Sequence, residues 1–255
     1  MRTPEEHAQL VEAYLSELAV TPELGELADS MRYALDGGGK RIRPVICLAT
    51  GEAAGAEPET VLPAAAALEL VHNFSLVHDD LPALDNDELR RGRPSTWAHY
   101  GEAIAVLAGD ALLTEAFRLA LSYSTTAVAR ELAQATNGMI GGQYLDIQGS
   151  SDLAALHKLK TGCLFAASVG LALWAAGVPE AEQGPWRAFG DELGLLFQIV
   201  DDILDEDGYY SKHGPDGARA LADEAAERTQ TRLAEIPSDT SVLSEIVSGL
   251  AARTS

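Results

Sequence analysis

The sequence predicts an all-α protein, a single-domain bundle of about ten helices around a central cavity. Two observations carry the prediction. Hydrophobic residues make up 47% of the chain but aromatic ones only 6%, and the apolar content is concentrated in Ala/Leu-rich runs such as "VLPAAAALELVHNFSLVH". Alanine and leucine are strong helix formers. Alternating β-branched runs, the mark of strands, are almost absent.

Taken in order, apolar periodicity and breakers place the helices as follows. Thr3-Pro4 and Thr21-Pro22 put proline just after a capping residue, starting helices over 4–20 and 22–36. A third helix spans 41–54, and "GAEPET" closes it and opens a fourth over 58–81. Pro82 ends that helix, because the residue before a proline is pushed out of the α region. Further helices cover 95–122, 125–149 and 152–177; "GVPEAE" then separates one over 180–206, and two more follow at 215–235 and 239–252. No Pro/Ser-rich linker, low-complexity tract or repeat divides the 255 residues, so one domain over 1–255 is expected. Short connections between long helices make neighbours antiparallel and put a site inside the bundle or at its mouth.

The formal charge of -21 disfavours nucleic acid and anionic membranes as partners. Yet six of the eighteen basic residues fall in "GGGKRIRP" (Lys40, Arg41, Arg43) and "LRRGRP" (Arg90, Arg91, Arg93). Two basic pockets in an acidic chain suit a small anionic ligand with metal ions among the carboxylates. Cys47 and Cys163 sit in apolar helical runs, so buried thiols in a reducing compartment are expected rather than a disulfide. The acidic N-terminus has no apolar signal core, and the most apolar run, Cys163 to Val178, is shorter than the ~20 residues of a membrane span. A cytoplasmic, soluble protein is expected.

Two acidic clusters leave apolar helices. In "HDDLPALDND", Asp79 and Asp80 occupy the last helical turn, and a loop must fold Asp85 back to join them. In "FQIVDDILD", Asp201 and Asp205 stand at i,i+4, with Asp202 between them. Unpaired carboxylates so spaced repel by on the order of 3 kcal/mol at an effective dielectric near 20, and a helix C-terminus also disfavours negative charge. Each cluster alone fits a solvated helix end. Two of them fit hard divalent cations, which take oxygen ligands from carboxylates and phosphates.

Six motifs in order, "GGGKRIRP" at 37, "HNFSLVHDDLPALDNDELRRGRPSTW" at 72, "GDALL" at 109, "MIGGQYLDI" at 139, "KTG" at 160 and "FQIVDDILD" at 197, make the chain resemble the trans-isoprenyl diphosphate synthases of the polyprenyl synthetase family. The resemblance implies an isoprenoid-synthase bundle, commonly homodimeric, that joins isopentenyl diphosphate to an allylic diphosphate such as dimethylallyl or geranyl diphosphate. It implies Mg2+, two ions on Asp79 and Asp85 with Asp80 in support, and a third on Asp201 with Asp205 and Asp202. Lys40, Arg43, His72 and Arg91 match the positions that grip isopentenyl diphosphate; Arg90, Lys160, Thr161 and Gln198 match the allylic side. By itself, the Arg90/Arg91 pair equally fits surface partners for Asp87 and Glu88, and His78 fits a core histidine. Gln143 and Asp146, at i,i+3, read as supports rather than direct ligands.

After "DDILD" a segment carrying a lysine and an aspartate is missing by comparison with the family, and Lys212 and Asp207 are the candidates to replace them. Phe74, about 7.5 Å along the helix before Asp79, is positioned to floor the pocket. By analogy it favours farnesyl diphosphate as product, with geranylgeranyl diphosphate second. A terpene cyclase would lack the "GGGKRIRP", His72 and Arg91 set, and a non-catalytic partner subunit would not need intact acidic motifs.

Overall fold

The computed structural model describes residues 1–150 and 152–254. It is all-α apart from one two-stranded ribbon among the described residues. The helices are α1 (Pro4–Ser16), α2 (Leu27–Leu35), α3 (Ile42–Ala53), α4 (Pro58–Asp79), α5 (Thr96–Tyr100), α6 (Glu102–Ala120), α7 (Ala127–Ile147), α8 (Leu153–His157), α9 (Cys163–Ala175), α10 (Gly184–Leu204), α11 (Gly208–Ala234) and α12 (Ser241–Ala251). The ribbon pairs β1 (Leu89–Arg90) with β2 (Arg93–Pro94), antiparallel, across a turn in which Arg91 and Gly92 take positive φ.

The α4 helix is the axis of the bundle. It packs against α3, α6 and α9, and the run from Ala64 to Val71 is almost wholly buried, Glu69 included. Among the described residues it is the one helix long and apolar enough to cross a membrane, but its apolar surface is spent on the core. Pro63 lies inside it, and the turn there is not closed in the usual way. Ala64 N donates to Tyr123 Oη at 3.1 Å, and that hydroxyl donates to Thr60 O at 2.7 Å. A side chain from beyond α6 thus bridges a backbone donor and acceptor four residues apart, one of the defined ways a helix tolerates a local opening. A second core lies between α9, α10, α11 and α12, centred on Phe165, Phe189, Leu193 and Leu243.

The sequence places most helices but merges several pieces. Its 22–36 helix is a 3-10 turn (Pro22–Leu24) followed by α2, because Gly25 turns the chain at φ 51°. Its 95–122 helix is α5 and α6, parted by Gly101 at φ 88°. Its 152–177 helix is α8 and α9 joined through a π-helical turn, Lys158–Gly162. Its 180–206 helix is a 3-10 turn at Glu180–Glu182 and then α10. Its 215–235 helix begins earlier, since α11 opens at Gly208 and is broken at Gly214, where Pro215 restarts it. Both cysteines are free thiols; Cys47 is fully buried, but Cys163 is only half-buried, contrary to the expectation of two enclosed thiols.

Candidate active site

The first acidic cluster is built by a return loop. Past α4, Asp85 N donates to Asp79 O at 2.9 Å and Asp87 N to Asp80 O at 3.1 Å, with Asn86 in the left-handed region at φ 55°. Asp85 is therefore folded back on Asp79, as the position of Pro82 requires. The two aspartates of the pair then part company. Asp79 lines a cavity of about 460 Å³, whereas Asp80 is buried beside it and receives the Arg90 guanidinium, Nε to Oδ1 at 3.0 Å.

The cavity brings together Arg43, His72, Phe74, Asp79, Lys160 and Thr161 from α3, α4 and the π-helical turn. An apolar stretch of its wall comes from Met139, Ile140 and Ile147 of α7 and Leu164 of α9, and His78 of α4 also lines it. Gln143 also faces it, and its Oε1 is buried without a hydrogen-bond partner. The sequence reading gave Gln143 only a supporting role; its place within "GGQ" was the available signal. Lys160 Nζ reaches Asp146 Oδ2 at 2.5 Å, so the cation expected on the allylic side rests on the same face of α7. Gly142 makes this possible: a Cβ there would lie 2.2 Å from Lys160 N, so the π-helical turn touches α7 backbone to backbone.

Charge in the cavity is arranged for an anion. Arg43 sits with its guanidinium carbon 4.6 Å above the Phe165 ring and 5.7 Å from that of Phe197, and its Nε has no partner. Burial pushes it down to about 10, against the pull of Glu69 and Asp201. Burial, helped by Arg43, Arg91, Arg41 and Arg90, holds His72 well below the ordinary imidazole range, leaving a neutral ring among cations. Arg91 lies against Gly39, where a Cβ would meet its Nη1 at 2.7 Å, which ties the two basic segments together. Arg41 has a different task. Its buried guanidinium binds Glu12, Glu69 Oε1 at 2.6 Å and Leu35 O at 2.6 Å, fixing the left-handed turn into α3.

The carboxylates carry the opposite strain. Burial raises Asp79 to about 6, with Lys160 opposing and Asp85 adding to the shift. Asp201 is raised by burial and by Asp205, with Arg43 and Lys40 opposing. These are oxygen donors short of positive charge, the chemistry a hard divalent cation answers. No group of three or more His, Cys, Asp or Glu side chains is gathered into a closed metal cage among the described residues. An open arrangement fits ions whose coordination is completed by water and phosphate oxygens.

Asp202 and Gln198 are occupied elsewhere. Asp202 accepts Gln198 Nε2 on Oδ1 at 2.5 Å and Tyr209 N on Oδ2 at 2.7 Å, with His157 Nδ1 at 3.7 Å from Oδ2. The short connection after α10 draws α11 so close that the middle aspartate of "DDILD" binds its first turn instead of turning to the cavity. Gly208 is needed there, since a Cβ would strike Asp202 Oδ2 at 2.0 Å. Asp207, a candidate replacement for the missing segment, caps the same turn through Gly208 N at 2.7 Å, and Lys212 is exposed.

The Polyprenyl synthetase family model matches residues 25–224. The chain belongs to the polyprenyl synthetase family. The chain is 44% identical over 193 residues to a geranylgeranyl diphosphate synthase of Cyanophora paradoxa, covering 69% of this chain and 64% of that protein. It is 40% identical over 226 residues to a farnesyl diphosphate synthase of Geobacillus stearothermophilus, covering 82% and 76%. Against the Cyanophora protein, then, the match spans less than two thirds of the relative's length. Its fold superposes on a geranyltransferase from Legionella pneumophila with a TM-score of 0.88 at 32% identity, over 98% of this chain and 96% of that one.

Proposed function

We propose that this member of the polyprenyl synthetase family is a short-chain prenyltransferase, condensing isopentenyl diphosphate with an allylic diphosphate to give farnesyl diphosphate, with geranylgeranyl diphosphate as the alternative product. The observation that carries this reading is one cavity with an anion-binding end, Arg43, His72, Lys160 and Thr161, joined to an apolar end bearing Phe74. Such a cavity matches a diphosphate with a hydrocarbon tail. The names of the relatives include both farnesyl and geranylgeranyl diphosphate synthases, so the choice of product rests on Phe74 alone.

In this reading Asp79 and Asp85 at the end of α4, and Asp201 and Asp205 at the end of α10, would hold Mg2+ ions. When bound, these supply positive charge to the departing diphosphate. Lys160 and Thr161 meet the allylic diphosphate, Lys160 leaving Asp146 to do so. Arg90 orients from its seat on Asp80. Lys40, Arg43, His72 and Arg91 hold isopentenyl diphosphate with its double bond toward the allylic carbon. As the carbon–oxygen bond breaks, the double bond forms the new carbon–carbon bond, and a proton leaves to the released diphosphate. Preorganised cations near the leaving oxygens are the larger catalytic contribution.

The same reading takes the chain as one catalytic domain, cytoplasmic, and paired as a homodimer. The exposed apolar side chains of α6, Ile104 at 37%, Val106 at 40% and Leu107 at 51% exposed, support pairing through that face. The test is incubation of purified protein with Mg2+, labelled isopentenyl diphosphate and dimethylallyl, geranyl or farnesyl diphosphate in turn, followed by product sizing. Mg2+-dependent products ending at farnesyl diphosphate are expected. No elongation of any primer would remove the reading.

A further inference from the structure

His78 does more than pack in the core. It lies on the cavity wall one helical turn after Phe74, and the two rings meet edge to face, centroids 4.9 Å apart at 72°. On its other side the ring lies flush on α6. Nε2 is 3.0 Å from Val106 O and 4.0 Å from Asp110 Oδ1. A carbonyl only accepts, so Nε2 carries the hydrogen and donates it. The contact exists because residue 109 is glycine: a Cβ there would lie 2.2 Å from Nε2 and 2.4 Å from Cδ2.

We propose that His78, seated on Gly109 and pinned to Val106 O, is the positioning residue that holds Phe74 as the floor of the tail pocket, and so sets product length through it. The inference rests on the prenyltransferase reading above. Phe74 is 7% exposed, and a wall made of one aromatic ring is only as fixed as what braces it. Without the imidazole, the Phe74 ring gains room beside α6 and the floor drops. With a side chain at residue 109, the imidazole must leave α6. The open volume next to it is the cavity itself, so the tail pocket becomes shallower.

These opposite displacements give a test that loss of packing alone would not mimic. Products are sized for wild type, His78→Ala, Gly109→Ala and the double variant, each checked for helical content. His78→Ala should raise the ratio of geranylgeranyl to farnesyl product about tenfold, the discrimination typical of one apolar wall contact. Gly109→Ala should shift products toward geranyl diphosphate. In the double variant the Gly109→Ala effect should vanish, since nothing is left for the new methyl to push. An unchanged product ratio in His78→Ala, or additive effects of the two substitutions, overturns the proposal even if total turnover falls.

A parallel measurement frees the result from the activity. Binding of the unreactive farnesyl and geranylgeranyl thiolodiphosphates with Mg2+ is compared by calorimetry. If wild type elongates nothing, the prenyltransferase reading fails, but tail-length discrimination lost in His78→Ala still upholds the brace, and discrimination retained rejects it.

Discussion

Asp202 Oδ2 accepts the backbone N–H of Tyr209 at 2.7 Å, across the three-residue connection, 205–207, that joins α10 to the first turn of α11. The carboxylate is 6% exposed and its other oxygen holds Gln198. Removing it strands the buried Gln198 amide, at a cost of about 1–3 kcal/mol, and also releases the half-buried N–H of Tyr209. Asp202→Ala should therefore lower the urea midpoint sharply while changing the Mg2+ dependence of activity much less than Asp201→Ala does. Equal loss of Mg2+ dependence in both variants would return Asp202 to the cavity.

The raised carboxyl of Asp79 makes stability depend on pH. Its folded value of about 6 stands above the ordinary 3.8, so protonation favours the folded state. That contribution is present in full below about pH 4 and lost as pH rises through about 6. In EDTA, Asp79→Asn should match wild type in melting temperature near pH 4 and exceed it near pH 7.5. A shift of ~2–4 °C corresponds to ~1 kcal/mol in a chain of this size. Saturating Mg2+ with a diphosphate ligand should reverse the order by stabilising wild type alone.

Phe74→Ala should lengthen the product, because the ring that floors the apolar end of the cavity is removed. Product sizing with farnesyl diphosphate as primer reads this directly. An unchanged distribution would assign the floor to another wall residue.

Tyr123→Phe should cost about 0.5–1.5 kcal/mol, the net worth of an ordinary hydrogen bond, by leaving Ala64 N and the exposed Thr60 O without the bridging hydroxyl. Denaturant unfolding measures it. The site is remote from the cavity residues, so the product length should not change.

Arg43→Met should bind isopentenyl diphosphate about 10–100-fold more weakly, the size of a lost charge-assisted contact. Yet the ligand-free protein should be as stable as wild type or more so. A buried cation with an unpartnered Nε, sandwiched near Phe165 and Phe197, is replaced by a side chain suited to that apolar surface. Thermal melts with and without ligand separate the two effects.

The parts of the site that follow from local sequence rules were legible. Pro82 ends α4, so Asp85 had to return to Asp79, and it does so by a backbone hydrogen bond. The spacing of Phe74 and Asp79 put both on the cavity wall. What local rules miss depends on contacts distant in sequence. Arg41 is chemically equivalent to Arg43 in the motif but belongs to Glu12 and Glu69. Asp202 looks like Asp201 but is claimed by a turn whose approach is set by the length of the following connection. The π-helical turn is not visible in the periodicity because its cause, Gly142 pressed on Lys160, lies in another helix. Gly170 is the same kind of case: it leaves room for Glu131, which gathers Arg187 and Trp174 into a clamp between α7, α9 and α10.

The contact of Gly142 with Lys160 also sets a timescale. With the π-helical turn locked onto α7, Lys160 can respond to a ligand only by rotating its own methylene chain, a picosecond to nanosecond event. The segment from Glu206 to Gly214, which contains three positive-φ residues, lies away from the cavity lining and is held instead by Asp202 and by the Tyr209 ring against His157, centroids 5.4 Å apart. The α7 wall of the cavity is therefore set before substrate arrives, and only the tip of Lys160 has to answer the ligand.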